Sequence, residues 1–317
     1  MIRLVKAYLA YLMKVYCSIV VLGFWKTLSL GVSAFSFPVT KLDRNVSLKS
    51  SMNDENKPTA MYPINPTYET IQGGGTVRTY QMPEWATRAQ MAFKTNGRPL
   101  RVTAQLWIGP LRTTHTMNIN SMDGSLSPYM STITFKKLAP NIRIISSDSM
   151  ELPVEASVWV PPPERSAIIG DKIEELWNAA NSEEKKLIQG ADVEGGHGAV
   201  RTWQIPSDVK SVQIICWSKD TSKKSLKARI EVLQGPNNKR QDYDLQCGGS
   251  TQPFHCVFQT PGNGWMIRAY NKKFVEDGLF EMVIAANEYV TDNAPPNTFM
   301  DSSTMDPSSM RKKEWWQ

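Results

Sequence analysis

Few side chains in this 317-residue chain have the types and spacing that catalysis or metal binding requires. The three histidines, His115, His197 and His255, are far apart, and only the neighbouring pair His255-Cys256 offers two potential ligands. Neighbours on a strand point to opposite faces, so that pair is a poor chelate. Glycine clusters occur, but no Gly-Lys-Ser/Thr follows them, and no Gly-x-Ser-x-Gly elbow is present. We therefore predict no catalytic residue, no metal site and no cofactor.

The elements that position these side chains come in two copies. Residues 76–83 read Thr-Val-Arg-Thr-Tyr-Gln-Met-Pro and residues 199–206 read Ala-Val-Arg-Thr-Trp-Gln-Ile-Pro, and each phrase follows a glycine cluster. Residues 100–110 correspond in the same way to residues 226–236, with the offset drifting only from 123 to 126 residues. The chain therefore contains two related units in tandem.

Both units consist of short alternating or β-branched segments separated by turn signals such as Asn96-Gly97 and Gly109-Pro110. This pattern predicts an all-β fold, with two tandem, related antiparallel β-sandwich-like domains, pseudo-two-fold symmetry and a Pro-rich linker with short helices. The strands predicted in unit one are 77–82, 89–94, 100–108, 132–136, 142–146 and 154–160. The strands predicted in unit two are 200–205, 211–218, 226–233, 242–246, 255–259, 265–270 and 279–286.

The linker differs in kind from the units that it joins. Pro161-Pro162-Pro163 predicts a stiff spacer, and Asp171–Ala180 places apolar side chains on one helical face. Asn181 or Ser182 can cap a second short turn that ends at Gly190. The acidic pairs in this linker are typical of a solvated face. The predicted boundaries are signal peptide 1–34, plastid transit peptide 35–56, N-terminal arm 57–70, β domain 71–160, linker 161–192, second β domain 193–289 and C-terminal tail 290–317.

The first 34 residues carry four basic side chains and no acidic one, so most of the net charge of +6 belongs to them. The rest of the chain is nearly balanced, which argues against a nucleic-acid-binding surface. The apolar stretch Val15–Phe24 is short for a membrane span and precedes a small-residue site, as in a secretory signal. Ser33-Ala34-Phe35 resembles the Ala-Phe cleavage motif of bipartite plastid presequences in diatoms and related algae. We predict plastid import, and the alternative is an ordinary secreted protein.

Cysteine usage is consistent with a reduced compartment. Cys17 lies in the predicted leader, which leaves the odd number formed by Cys216, Cys247 and Cys256. An odd number favours buried free thiols over a disulfide framework, although Cys247 and Cys256 can still pair.

The repeated phrase is also the predicted contact surface. On a strand, Arg78 shares a pleat face with Tyr80, and Arg201 shares one with Trp203. One interpretation is that the two strands form equivalent contact patches. Their arginines would stack on an aromatic ring of a partner or form a bidentate ion pair with its carboxylate. The other is an exposed strand face with an intramolecular contact between arginine and the ring. The two tryptophans of the tail either dock on a neighbouring molecule or belong to a flexible C-terminus that has no partner. The candidate contact residues are Arg78, Tyr80, Gln81, Arg201, Trp203, Gln204, Trp315 and Trp316.

The leader, the two units that each open with Gly-x-Val-Arg-Thr-Tyr/Trp-Gln-Met/Ile-Pro, the Pro-rich connector and the short tail together resemble the diatom pyrenoid shell proteins. The resemblance covers about residues 65–290. It implies a non-enzymatic subunit that tiles with copies of itself, and with other shell isoforms, into a sheet around the Rubisco-filled pyrenoid. It also implies a place at the pyrenoid periphery in the plastid stroma, support of CO2 concentration and fixation, no cofactor, and no membrane span in the mature protein.

Two other classes of function fit less of the sequence. Aromatic residues expected at the surface, namely Trp85, Trp107, Trp217 and Trp265, suit a tandem β-sandwich module that binds a carbohydrate or protein ligand. An enzyme with a site between the units requires unlike residues that converge there, and the sequence offers no such set.

Overall fold

A computed structural model describes residues 61–63, 65–109, 112–135, 139–188, 200–219, 225–235, 238–248, 253–272, 279–290 and 298–304. The predicted leader, Cys17, His197, Gly190, Trp315 and Trp316 lie outside these residues. Within them, seventeen strands and one helix are present, and every pairing between strands is antiparallel. The prediction of an all-β fold is confirmed.

Each repeat contributes eight strands in the same order. The strands of the first repeat are β1 (Glu69–Ile71), β2 (Val77–Gln81), β3 (Arg88–Lys94), β4 (Leu100–Ile108), β5 (Arg112–Ser121), β6 (Tyr129–Thr134), β7 (Asn141–Ser146) and β8 (Val154–Trp159). Those of the second are β9 (Lys186–Ile188), β10 (Val200–Gln204), β11 (Val209–Trp217), β12 (Leu226–Gln234), β13 (Lys239–Cys247), β14 (Phe254–Gln259), β15 (Trp265–Asn271) and β16 (Phe280–Tyr289). One further strand, β17 (Ser302–Thr304), follows the second repeat.

The strands form two sheets, and both sheets run through both repeats. Sheet A has eight strands in the order β1-β8-β3-β6-β14-β11-β16-β9. Sheet B has nine strands in the order β17-β10-β15-β12-β13-β5-β4-β7-β2. The repeats meet where β6 pairs with β14 in sheet A and where β5 pairs with β13 in sheet B. We call these two junctions the seam.

The register at the seam places corresponding residues of the repeats opposite each other. In sheet B, Asn118 pairs with Asp244, and these two residues also occupy matching places on β5 and β13, opposite Thr103 and Arg229. In sheet A, Ser131 pairs in the same way with Cys256. The repeated strands therefore meet their own counterparts in both sheets.

The inward faces of both sheets pack into one continuous hydrophobic cluster that includes side chains from both repeats. Its largest members are aromatic: Phe93 stacks on Tyr129, which contacts Tyr243 across the seam at a ring-centroid distance of 5.2 Å. Tyr243 in turn packs on Phe258. Aromatic side chains bury large apolar areas, so this chain of rings ties the two repeats to each other.

Strand β5 was not among the predicted strands. Its outward positions are Thr and Asn. Neither is apolar, and Asn is depleted in strands, so the sequence of this segment is typical of a polar loop. In the structure His115, Met117 and Ile119 alternate inward and are nearly fully buried. Pairing with β4 on one side and with β13 on the other supplies the backbone hydrogen bonds that local propensity does not predict.

The linker forms one helix, α1 (Pro163–Ala179), which begins eight residues before the predicted helical stretch. Pro163 stands at the first helical position, where its fixed φ and missing N–H suit a helix start, so the prolines initiate the helix instead of acting only as a spacer. The buried face of α1 packs on the outer face of sheet A. The side chains of this contact are Ile169, Ile173, Leu176, Trp177 and Ala180 on the helix side and Ile215, Trp217, Val283 and Ala285 on the strands.

Two local details hold the helix in place. Gly170 lies against the guanidinium of Arg88, where an added Cβ would come within 2.2 Å of Nη2. Arg88 can therefore donate a hydrogen bond to the carbonyl oxygen of Ser166 at 2.6 Å. After the helix, the side chain of Asn181 accepts the backbone N–H of Glu184, whose carboxylate accepts the N–H of Asn181 in return. The predicted cap is thus present, but the chain turns into β9 and not into a second helix.

Candidate assembly surface

The repeated phrase forms β2 and β10, which lie near opposite ends of sheet B. The glycines before β2 make the expected turn, with φ of 70° at Gly74 and 74° at Gly75. The expected sharing of a pleat face also holds, because Arg78 and Tyr80 pair with the inward residues Ile144 and Ile142 of β7. The shared face is thus the inward face.

The inward direction corrects the prediction for the two aromatic residues. Tyr80 is 2% exposed and Trp203 is 0% exposed, and both belong to the hydrophobic cluster. The period of a strand shows which residues share a face but not which face is covered, and here the second sheet covers the aromatic one. Neither ring is available to a neighbouring molecule in this structure.

The other residues of the phrase are accessible to different degrees. Arg78 and Arg201 are half-buried, and Arg201 Nε donates to the carbonyl oxygen of Leu187 at 3.3 Å. Gln81 and Gln204 are exposed at the ends of their strands. The polar members of the repeated phrase therefore stay candidates for a contact surface.

The outward face of sheet B carries a charge cluster in the second repeat. Arg229 lies at its centre, with Nη2 at 2.8 Å from Asp242, Nε at 3.1 Å from Glu231 and Nη1 at 3.8 Å from Asp244. Lys272 adds a bond of 3.1 Å to Asp244. The matching position to Arg229 in the first repeat is Thr103, whose hydroxyl donates to the side-chain oxygen of Asn118. The ion-pair cluster of the second repeat is therefore replaced by a neutral pair at these matching positions of the first repeat.

Replacing Arg229 with Met is expected to lower the free energy of unfolding by about 1–2 kcal/mol at low salt, because it leaves three carboxylates without their central cation. The Arg229 side chain is 26% exposed, so its interactions are only partly screened. Chemical denaturation monitored by fluorescence measures the change.

The matched control is Lys239→Met. Lys239 reaches Asp242 at 3.6 Å from a side chain that is 42% exposed, and its loss should change stability by less than about 0.5 kcal/mol. Equal effects of the two variants would contradict a central role for Arg229.

A buried polar network crosses the seam on the outward face of sheet A. The hydroxyl of Tyr62, from the segment before β1, donates to Nδ1 of His255 at 3.0 Å and accepts from Thr132 at 3.1 Å. Nε2–H of His255 then donates to Oε1 of Gln213 at 3.3 Å. Thr132 belongs to the first repeat and His255 to the second, so Tyr62 ties the N-terminal segment to both.

Gln90 completes the network on the side of the first repeat. Its amide nitrogen donates to the carbonyl oxygen of Met61 at 2.8 Å, and its oxygen accepts the indole N–H of Trp159 at 2.8 Å. Sequence reasoning did not find this network. The available signal was a set of polar residues inside otherwise apolar strands, such as Gln90 between Ala89 and Met91.

The histidines and cysteines that the structure describes are all buried. Burial lowers the pKa of His115 to about 4 and that of His255 to about 3, so both rings are neutral at pH 7. Cys216, Cys247 and Cys256 are buried free thiols. Burial raises the pKa of Cys247 to about 12 and the pKa values of the other two further still, so all three are protonated.

The tryptophans do not form matching platforms in the two repeats. Trp217 and Trp265 are buried, at 8% and 6% exposed. Arg143 covers the ring of Trp107 at 4.9 Å, and Trp85 is 43% exposed. A carbohydrate module with equivalent aromatic sites in both repeats is therefore disfavoured.

Two absences hold for the part of the chain that the structure describes. There, no group of three or more His, Cys, Asp or Glu side chains is arranged to hold a metal ion. Nor is any helix in those residues sufficiently long and apolar to cross a membrane.

Comparison with known proteins identifies one matching family. A family model described as diatom pyrenoid shell protein matches residues 62–286, which is more than half of the chain. The matched region begins at Tyr62, contains the first repeat and α1, and ends within β16, the last strand of the second repeat. A search of curated proteins finds no match. The two repeats, the seam between them and this match lead to one conclusion: the chain belongs to the diatom pyrenoid shell protein family.

Proposed function

We propose that the chain is a non-enzymatic structural subunit that assembles with copies of itself, and with other shell isoforms, into a protein sheet. The sheet encloses the Rubisco-containing pyrenoid of the plastid and supports CO2 concentration and fixation. The bipartite leader, with a signal peptide over residues 1–34 and a transit peptide over residues 35–56, brings the chain to the plastid stroma. Membership in the pyrenoid shell family supports this proposal.

The observation that carries the proposal is the seam. Corresponding residues lie opposite each other at Asn118 and Asp244 and at Ser131 and Cys256, which is the arrangement that a pseudo-two-fold axis through both sheets would produce. A subunit with two like halves presents similar surfaces in two directions. Contacts between such surfaces on successive copies do not close, so a sheet can grow.

The proposed assembly contacts are the polar residues of the repeated phrase and the tail. Arg78, Gln81, Arg201 and Gln204 remain accessible in part or in full on β2 and β10. In the tail, Trp315 and Trp316 dock on a neighbouring subunit. Each indole can bury on the order of 200 Å², which gives such a contact a large apolar component.

Purified residues 57–317 are expected to form extended sheets or tubes in negative-stain electron microscopy. A matched sample that lacks residues 311–317 should assemble less if the terminal tryptophans dock, and an unchanged lattice would remove them from the contact. A protein that stays monomeric at all salt and protein concentrations would contradict the proposed function. Imaging of the tagged chain in a diatom should show a thin rim around the pyrenoid.

A further inference from the structure

The two ends of sheet B differ, although the same repeated strand lies near each. At one end β17 pairs with β10, with Ser303 opposite Thr202. At the other end β2 is the last strand, and among the described residues only β7 pairs with it. Thr202 is 3% exposed, whereas its counterpart Thr79 is exposed. The tail strand therefore covers one copy of the repeated strand and leaves the other as an edge.

Some backbone N–H and C=O groups of β2 point outward from this edge, away from β7. Met82 N–H donates to the Pro140 carbonyl at 3.0 Å, and Ser146 N–H donates to the Thr76 carbonyl at 3.0 Å. These bonds assign the even-numbered residues of β2 to the ladder with β7. Since hydrogen bonding alternates along an antiparallel strand, the N–H and C=O of Thr79 point away from β7.

The covered copy follows the same alternation. Ile205 N–H donates to the Trp265 carbonyl at 2.9 Å, so the odd-numbered residues of β10 face β15. The N–H and C=O of Thr202 consequently point toward Ser303 of β17. In the second repeat, the outward-pointing backbone groups of the repeated strand are therefore covered by another strand.

The edge of β2 carries few of the features that protect edge strands. Its residues, Val77-Arg78-Thr79-Tyr80-Gln81, include no proline and no lysine, and its register with β7 contains no bulge. Val77 is 42% exposed, and Thr79 and Gln81 are exposed beside it. An edge strand without these features presents a row of N–H and C=O groups with which another chain can pair.

We propose that the β2 edge pairs antiparallel with the β2 edge of a second copy of this chain, a contact that specifies one interface within the self-assembly proposed above. Thr79 lies opposite Thr79 of the other copy. Val77 then faces Gln81, and Arg78 faces Tyr80, on the two sides of the new junction. This contact is isologous and continues sheet B from one subunit into the next.

The residue types favour this register over its neighbours. With Thr79 on the two-fold axis, all five residues of both strands are paired, and the outward-pointing groups at positions 77, 79 and 81 meet each other. Two adjacent registers have the same hydrogen-bonding parity. One sets Arg78 opposite Arg78, and like charges directly opposite are destabilising. The other sets Val77 opposite Pro83, which has no N–H to donate.

The tail strand limits what this contact can build. Because β17 covers β10, the second copy of the repeated strand is not available for the same edge contact. The edge contact therefore produces a pair of subunits, and a sheet of many subunits needs the other contacts of the proposed assembly as well.

Disulfide trapping in the full chain tests the contact. In a Cys17→Ser background, Thr79→Cys should give a covalent dimer under mild oxidation, because residues opposite each other in a hydrogen-bonded pair are at a Cα separation of about 5.5 Å, which suits a disulfide. The matched control is Thr202→Cys, at the equivalent position under β17, which should stay monomeric on non-reducing gels. Mixing Thr79→Cys with Ser303→Cys should not give a mixed dimer.

The inference is overturned if the Thr79→Cys variant stays monomeric. It is also overturned if Thr79→Cys forms a mixed dimer with Ser303→Cys, because the tail of another copy would then occupy the β2 edge. Thr79→Pro removes an N–H that points away from β7 and should weaken dimerisation by at least about tenfold in size-exclusion chromatography, whereas Thr79→Val should not. Equal dimerisation of these two variants also overturns it. If extended protein sheets form but no disulfide joins Thr79→Cys chains, the edge contact is wrong and the proposed function stands. If the disulfide forms but no protein sheets do, the proposed function is wrong and the edge contact stands.

Discussion

Trp203→Ala is expected to lower the free energy of unfolding by about 3–5 kcal/mol, the usual cost of removing a large buried aromatic side chain. Trp203 is 0% exposed and lies in the cluster between the sheets, opposite Ile267 on β15. Truncation leaves a cavity that neighbouring β strands are poorly able to fill, because their hydrogen-bonded ladders fix their spacing. Denaturant titration followed by circular dichroism measures the change.

The next residue in the chain provides the control for that variant. Gln204 is exposed, and Gln204→Ala should change the free energy of unfolding by less than about 0.5 kcal/mol. Because both repeats share two sheets and one core, Trp203→Ala should shift a single transition for the whole chain. Two separate transitions, of which only one moves, would contradict this shared core.

Acidification from pH 7 to about 4.5 is expected to cost on the order of 2–3 kcal/mol of stability for each of His115 and His255. Burial lowers their pKa values to about 4 and about 3 in the folded state, below the ordinary value of 6.5. As the pH falls through 6.5, these two histidines become protonated in the unfolded chain but stay neutral in the folded chain. The stabilisation is therefore complete above pH 6.5 and is lost progressively toward the folded-state pKa.

Thermal melting across this pH range, compared with His255→Gln, isolates one of the two contributions. Glutamine can replace the hydrogen bonds to Tyr62 and Gln213 without a titrating ring. The variant should be less stable than the parent chain at neutral pH, and the difference should shrink as the pH falls. Melting curves that stay parallel over the whole range would show that His255 does not drive the acid response.

Much of the strand order was predictable, because alternation of apolar residues and turn chemistry are local signals. Strand β4 was predicted with its observed bounds, and β10 and β12 to within one residue. The short strands β1, β9 and β17 were not predicted, since three residues carry too little pattern. They depend on pairing with β8, β16 and β10, which is tertiary information.

The candidate contact surface stays a prediction for the polar residues of the repeated phrase. Tyr80 and Trp203 are buried, which no pattern along a single strand could indicate. Tyr62 and His255, which are 193 residues apart, form a hydrogen bond that no local pattern indicates. The proposed docking of Trp315 and Trp316 stays a prediction.

By itself, the sequence determined that two related β units lie in tandem, since duplication, residue alternation and turn signals are properties of short stretches of chain. The tertiary structure alone decided that the units share both sheets, that the aromatic side of the repeated strand faces inward, and that β17 covers β10. The physical reason is that backbone hydrogen bonds and buried faces need partners distant in the sequence. Which partner is found depends on the packing of the whole chain.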